Sequence, residues 1–243
     1  MTIILESWPR KLYQQTSEKF YFRYRIYGEF PPLPAFSSTE YRSAGLFKGV
    51  KLFRYDQHNA SQMSELRSGN LWEQSIGRNP ALDARILMAQ ECLELKADFA
   101  DQPNLDYLRD TVGLIMFLLE NGGCAVYDYL SNRWWDALSW RRDIFSQPFS
   151  PRIYLNISKQ INAGKITLLT SGLVIFARQE IKIIDIPEAE VDSAKEIIYK
   201  LAVALADGAV LQDGQEIRTK TLAKTLICNI ITIDKKQICV INW

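Results

Sequence analysis

The chain has 243 residues, 47% hydrophobic and 23% charged, an ordinary globular composition with room for a sizeable core. That composition excludes the disordered, collagenous and disulfide-scaffold classes. Lys and Arg number 29 against 28 Asp and Glu, and the formal charge of +1 provides no global field toward nucleic acid or an anionic membrane.

The start, MTIILESWPRK, has too short an apolar run for a secretory signal. Further on, Phe20 to Tyr27 (FYFRYRIY) alternates strictly, which predicts a strand. Phe20, Phe22, Tyr24 and Ile26 share one face, and Tyr21, Arg23, Arg25 and Tyr27 the other. Gly28 and the prolines at 31, 32 and 34 end it, because proline lacks the amide a ladder needs. A second strand is expected over Val50 to Tyr55, then a loop with one short helix over 56–80.

After Pro80, Leu82, Ile86, Ala89, Leu93 and Ala97 recur at helical spacing, so one helix is expected through to Ala97. On it Glu91, Glu94 and Asp98 would form an acidic ridge. A second helix carries Leu108, Val112, Ile115 and Leu119 on one face, stops at Asn121-Gly122-Gly123 and leads into a strand over Cys124 to Tyr127. Its apolar run, Gly113 to Leu119, is about a third of the ~20 residues that cross a bilayer. In Arg133 to Arg142 (RWWDALSWRR), Trp134, Leu138 and Arg142 fit one helical face, and Pro148 and Pro151 stop the segment. An internal boundary, if the chain has one, belongs near 146–152; otherwise residues 1–243 read as one domain.

Strands are expected over Ile166 to Phe176 and Ile181 to Ile186. Pro187 opens a helix with Val191, Ala194, Ile198, Leu201 and Leu205 on one face and Gly208 at its end. Leu226 to Ile233 and Ile238 to Ile241 form a hairpin. The whole reads as an α+β fold, a mixed or mainly antiparallel sheet with about three principal helices packed on it.

The chemistry is narrowed by what is scarce. His58 is the single histidine, so a histidine-rich metal site is impossible within one chain. Any His-assisted nucleophile must use His58, with Asp56 beside it and Ser61 after it, and Ser61 has no nucleophile elbow. Cys92, Cys124, Cys228 and Cys239 have no zinc or redox spacing and apolar neighbours, which reads as buried reduced thiols in a cytoplasmic protein. GxxxxGK[ST] and GxGxxG are missing, and neither a metal nor another cofactor is expected.

Site-like residues concentrate in Arg133, Trp134, Trp135, Trp140, Arg141 and Arg142, which read either as a stacking and pairing surface or as a core cap with arginines outside. Tyr21, Arg23 and Arg25, on the second face of the first strand, carry the same ambiguity. The preferred reading is a non-enzymatic binding module whose partner is another protein or a small ligand, with nucleic acid and membrane disfavoured. The alternative is a carboxylate-dependent hydrolase or transferase in which Asp56, His58 and an acid such as Glu91 meet in a cleft.

From Leu168 to Gly214 the chain carries Thr170, Gly172, Phe176, Glu180, Pro187 and Gly214 in a strand–turn–strand–helix order. This stretch resembles the C-terminal part of uncharacterised bacterial domains of unknown function, and Leu118 to Tyr127 is similar to their preceding segment. Those domains usually have glycine where this chain has Ala177. The resemblance implies the fold and brings no activity.

Overall fold

A computed structural model describes residues 5–67, 72, 79–162, 164–218, 224–233 and 236–243. The fold is α+β. The chain forms two compact units: Met1–Trp8, Phe22–Asp98 and Asn104–Ser150 make the first, and Pro9–Tyr21, Phe99–Pro103 and Pro151–Trp243 the second. None of the described helices is long and apolar enough to cross a membrane.

The first unit is built on a five-stranded sheet in the order β2-β3-β1-β4-β5. Its strands are β1 (Lys19–Gly28), β2 (Lys51–Tyr55), β3 (Glu91–Ala100), β4 (Gly123–Asp128) and β5 (Arg133–Trp135). Pairing of β4 with both β1 and β5 is antiparallel, with Ile26 opposite Val126 and Val126 opposite Trp135. Because paired residues share a face, one face carries Tyr24, Ile26, Val126 and Trp135, and the other Arg25, Tyr27, Tyr127 and Trp134. Helix α2 (Asp106–Glu120) is buried along most of its length. From the Ala137–Trp140 turn beside it, Trp140 donates its indole Nε1–H to the Val112 carbonyl at 3.2 Å and meets Tyr24 edge to face. Helix α1 (Pro80–Met88) buries Leu82 and Ile86 in a cluster with Tyr27, Cys92 and Tyr127.

The helix expected through Ala97 stops at Met88. Ala89 turns to an extended ψ of 131°, and Glu91 to Ala100 continue as β3. This strand lies inside the sheet between β2 and β1 and buries the consecutive residues Cys92, Leu93, Glu94 and Leu95, so it does not alternate. Leu93 and Ala97 matched helical spacing only because both strand faces are covered. Glu91, Glu94 and Asp98 therefore form no ridge: successive strand residues point to opposite faces, which separates Glu91 from Glu94 and Asp98. The Trp134–Leu138–Arg142 helical face is likewise replaced, by strand β5 and a short turn of helix.

The second unit holds a six-stranded sheet in the order β6-β7-β8-β11-β10-β9. These strands are β6 (Asn156–Asn162), β7 (Lys165–Ser171), β8 (Glu180–Ile186), β9 (Glu216–Ile217), β10 (Leu226–Ile233) and β11 (Lys236–Asn242). The β8–β11 pair is parallel and the other described pairs in this sheet are antiparallel. Helix α3 (Val191–Ala206) buries Ala194, Ile198, Ala202 and Leu205 as it packs on β7 and β8.

The strand expected through Phe176 ends at Ser171. Gly172 has φ 108°, and a Cβ there would come within 2.0 Å of the Tyr154 carbonyl oxygen, so the chain turns into a short helical turn, Leu173–Phe176. Ala177, which ends this turn, lies in the left-handed region at φ 52°. Glu180 ties this turn together: its buried carboxylate accepts from the Thr170 hydroxyl at 2.7 Å and the Gly172 and Leu173 amides at 3.0 and 2.9 Å.

Asp101, nearly fully buried, accepts from Arg10 Nη1 at 2.7 Å and Arg178 Nη1 at 2.8 Å. The two guanidiniums also donate to carbonyls at the end of α3: Arg10 to Leu205 and Ala206, Arg178 to Gly208 and Ala209. Cations suit that negative end of a helix. Replacing Asp101 leaves two buried guanidiniums facing each other, so Asp101→Ala is expected to cost about 3–5 kcal/mol in urea unfolding. A loss under about 1 kcal/mol would contradict the buried pairing.

The sequence reading of four reduced thiols is corrected. Cys228 and Cys239, on adjacent strands of the β10–β11 hairpin with Cα atoms 5.7 Å apart, form a disulfide, and Cys92 and Cys124 are free. Denatured, unreduced protein is expected to take up alkylating agent at Cys92 and Cys124 only, and at all four positions after reduction; mass spectrometry reads the difference.

Candidate functional site

In the first unit the second sheet face, opposite α2, carries a charged cluster. Glu94 is fully buried. Its Oε2 accepts from Arg23 Nη2 at 2.7 Å and Arg25 Nη2 at 2.6 Å, and Lys96 pairs with its Oε1. Glu65 bridges the same arginines, at 3.0 Å to Arg23 Nη1 and 2.7 Å to Arg25 Nη2. Burial pushes both carboxyls up, yet the hydrogen bonds and charges of the cations prevail and hold Glu94 and Glu65 below the usual carboxylate range. Arg25 is thus buried, and Arg23, partly exposed, is committed to Glu94 and Glu65, while Tyr21 falls in the second unit.

A run of aromatic rings leads away from this cluster. The Arg23 guanidinium lies 4.0 Å from the Tyr129 ring centre; Tyr129 meets Tyr127 edge to face at 5.0 Å, and Tyr127 lies 4.9 Å from Trp134. Burial pushes the Tyr127 phenol up to about 12, so it stays protonated and donates to Asn132 Oδ1 at 3.1 Å. The β4–β5 turn is shaped by Asp128, whose buried carboxylate accepts from the Leu130 amide at 2.9 Å and the Ser131 hydroxyl at 2.7 Å. Asn132 closes the turn at φ 53°, a conformation asparagine tolerates better than most residues. Arg133, Trp134 and Trp135 follow directly.

At this edge of the sheet opens a pocket of about 510 Å³, a size usual for small-molecule sites. Trp134, Trp135 and Leu138 supply aromatic and aliphatic wall, and Arg133 and Arg142 supply cations. Asn79, Leu82 and Asp83 from the start of α1 form the facing wall, joined by Asn132, Asp136 and Ser139. Two local caps fix these walls. Asn79 Oδ1 accepts from the Leu82 amide at 3.2 Å, and Asp136 Oδ1 accepts from the Ser139 amide at 2.7 Å. Burial raises the Asp136 carboxyl, and the Ser139 hydrogen bonds more than reverse that, leaving it below its ordinary value.

Of the residues singled out in the sequence, Arg133, Trp134, Trp135 and Arg142 converge here. Trp140 is instead core, and Arg141 pairs with Glu120. Asn79, Asp83, Asn132 and Asp136 were missed, although Asn-Pro before a helix and Asp-x-x-Ser are readable capping signals.

The other constellation does not assemble. His58 is solvent-exposed, its Nδ1 3.6 Å from Asp56, whose carboxylate caps the turn through the His58 amide at 2.8 Å. Glu91 is held by Arg54 and the Phe30 amide, and none of the three lines the pocket. Among the described residues no three of His, Cys, Asp and Glu are grouped to hold a metal ion. No family model, curated protein or solved structure matches the chain.

Glu94→Gln leaves three cations around a neutral amide, and the expected loss is about 3–5 kcal/mol at neutral pH. Glu94 and Glu65 bind protons less readily folded than unfolded. Their stabilisation is therefore complete above the unfolded carboxylate pKa of about 4.3 and drains away as pH falls through the lower folded values. Urea midpoints should show wild type and Glu94→Gln converging in acid; a constant gap would contradict the assignment.

Proposed function

We propose that this chain is a binding module whose small-molecule ligand enters the pocket at the β5 edge. The observation that carries the reading is the convergence of Trp134, Trp135, Arg133 and Arg142 on one pocket, faced by polar groups from α1. Buried aromatic area combined with a few fixed polar groups is the usual composition of a ligand site. Trp134 is held by Tyr127 and Trp72, and the Asn79 and Asp136 caps fix the walls, so the site is built before a ligand arrives. Preorganisation of this kind lowers the entropic cost of binding.

The test is a thermal-shift screen of a metabolite library on the wild type and on Trp135→Ala/Arg133→Ala. Ligands that raise the wild-type melting temperature should lose at least about tenfold in affinity on the double variant, a change of about 1.4 kcal/mol. Equal stabilisation of both proteins would overturn the reading. Cooperative melting of the unliganded variant establishes that the pocket, and not the fold, was removed.

A further inference from the structure

Resting on that pocket reading, we infer that the ligand is a planar aromatic acid carrying one carboxylate. Most polar groups of the wall are already spent inside the protein. Asp136 Oδ1 accepts from the amide and the hydroxyl of Ser139, each at 2.7 Å. The Oδ1 atoms of Asn79 and Asn132 accept from the Leu82 amide and the Tyr127 hydroxyl. Arg142 donates from Nε and Nη2 to Asp143, and Asp83 is itself engaged. Arg133 is the exception: half-buried in the lining, it makes no hydrogen bond and no salt bridge among the described residues. Asp128, its partner in the β4–β5 register, turns its two oxygens to the Leu130 amide and the Ser131 hydroxyl. What stays open in the wall is therefore chiefly donor, the Arg133 guanidinium and the side-chain nitrogens of Asn79 and Asn132.

A guanidinium meets a carboxylate through two parallel N–H···O bonds, a match that a hydroxyl or a neutral amide does not reproduce. One uncommitted arginine selects one negative charge. A dianion would bring a second charge toward the Asp136 carboxylate, with no other uncommitted arginine in the lining to meet it. The aromatic part follows from the strand. Arg133 and Trp135 are two residues apart on β5, so they stand side by side on one face, about 7 Å apart. A ring laid against the Trp135 indole thus brings its carboxylate to the Arg133 guanidinium, and Trp134 and Leu138 add apolar wall. A purely apolar ligand would cover Arg133 without pairing it. A small aliphatic acid would pair Arg133 and leave the indole uncovered.

The experiment is a titration of the full chain, followed by calorimetry and saturation-transfer NMR. The probes are benzoate, phenylacetate and indole-3-acetate, each beside its primary amide, with acetate as the acid that lacks a ring. The expected result is saturable binding of at least one aromatic acid, with its amide and acetate each weaker by about tenfold or more. Arg133→Gln should weaken the acid by about tenfold and bring acid and amide together, whereas Trp135→Ala should weaken both. Arg133 has no internal partner to lose, so Arg133→Gln should melt as the wild type does. Failure of all three aromatic acids to saturate overturns the acid assignment. If an amide binds as tightly as its acid, with loss on Trp135→Ala, the acid assignment falls and the pocket reading stands. If an acid binds the wild type and both variants alike, it binds elsewhere, and both readings fall.

Discussion

A carboxylate without water has to be neutralised where it stands, and Glu94 sets that requirement for the first unit. It is fully buried on an inner strand, so its charge survives only because Arg23, Arg25 and Lys96 surround it. The arginines are fixed in turn: Arg25 donates to the Gln62 carbonyl at 2.7 Å and to Glu65, which secures the segment after β2 against the sheet. Arg23 lies over Tyr129, and the rings of Tyr129, Tyr127 and Trp134 carry that fixed geometry across the face to β5. Charge burial at one strand thereby becomes positional precision at the sheet edge, where the pocket opens.

The second unit solves the same problem with charges of the same signs. There a single buried carboxylate, Asp101, lies between Arg10 and Arg178, and the remaining guanidinium donors are absorbed by backbone carbonyls at the end of α3. Nearby, Gly208 allows the helix end to close against the chain, because a Cβ there would lie 2.5 Å from Tyr13 Cα. Glu180 performs the corresponding task for the turn after β7 by collecting amide donors. Asp101 is satisfied by partners far along the chain and Glu180 within its own turn, and a fully satisfied buried polar group of either kind rigidifies what surrounds it.

Much of the fold was legible in local pattern. The strict alternation of FYFRYRIY marked β1 and its two faces, and the helical spacing after Pro187 marked α3. The segment from Leu82 to Ala97 misled because a strand covered on both sides loses its alternation, and its residues fell by accident into helical register. Arg23 and Arg25 stood out as residue types, but their confinement depends on Glu65 and Glu94, far along the chain, and no local spacing encodes such pairing. The Trp/Arg segment was visible for its composition. Its geometry was hidden because Trp134 and Trp135 lie on a strand, pointing to opposite faces, and because the facing wall comes from α1.

The central claim is that the β5-edge pocket takes the ligand, and the chain's six tryptophans report on it directly. Indole N–H resonances can be followed by proton–nitrogen correlation NMR while a hit from the ligand screens is titrated. The account predicts that the Trp134 and Trp135 signals shift in a saturable way, while those of Trp8, Trp140 and Trp243 stay in place. Saturable shifts at those three, with Trp134 and Trp135 unmoved, would contradict it.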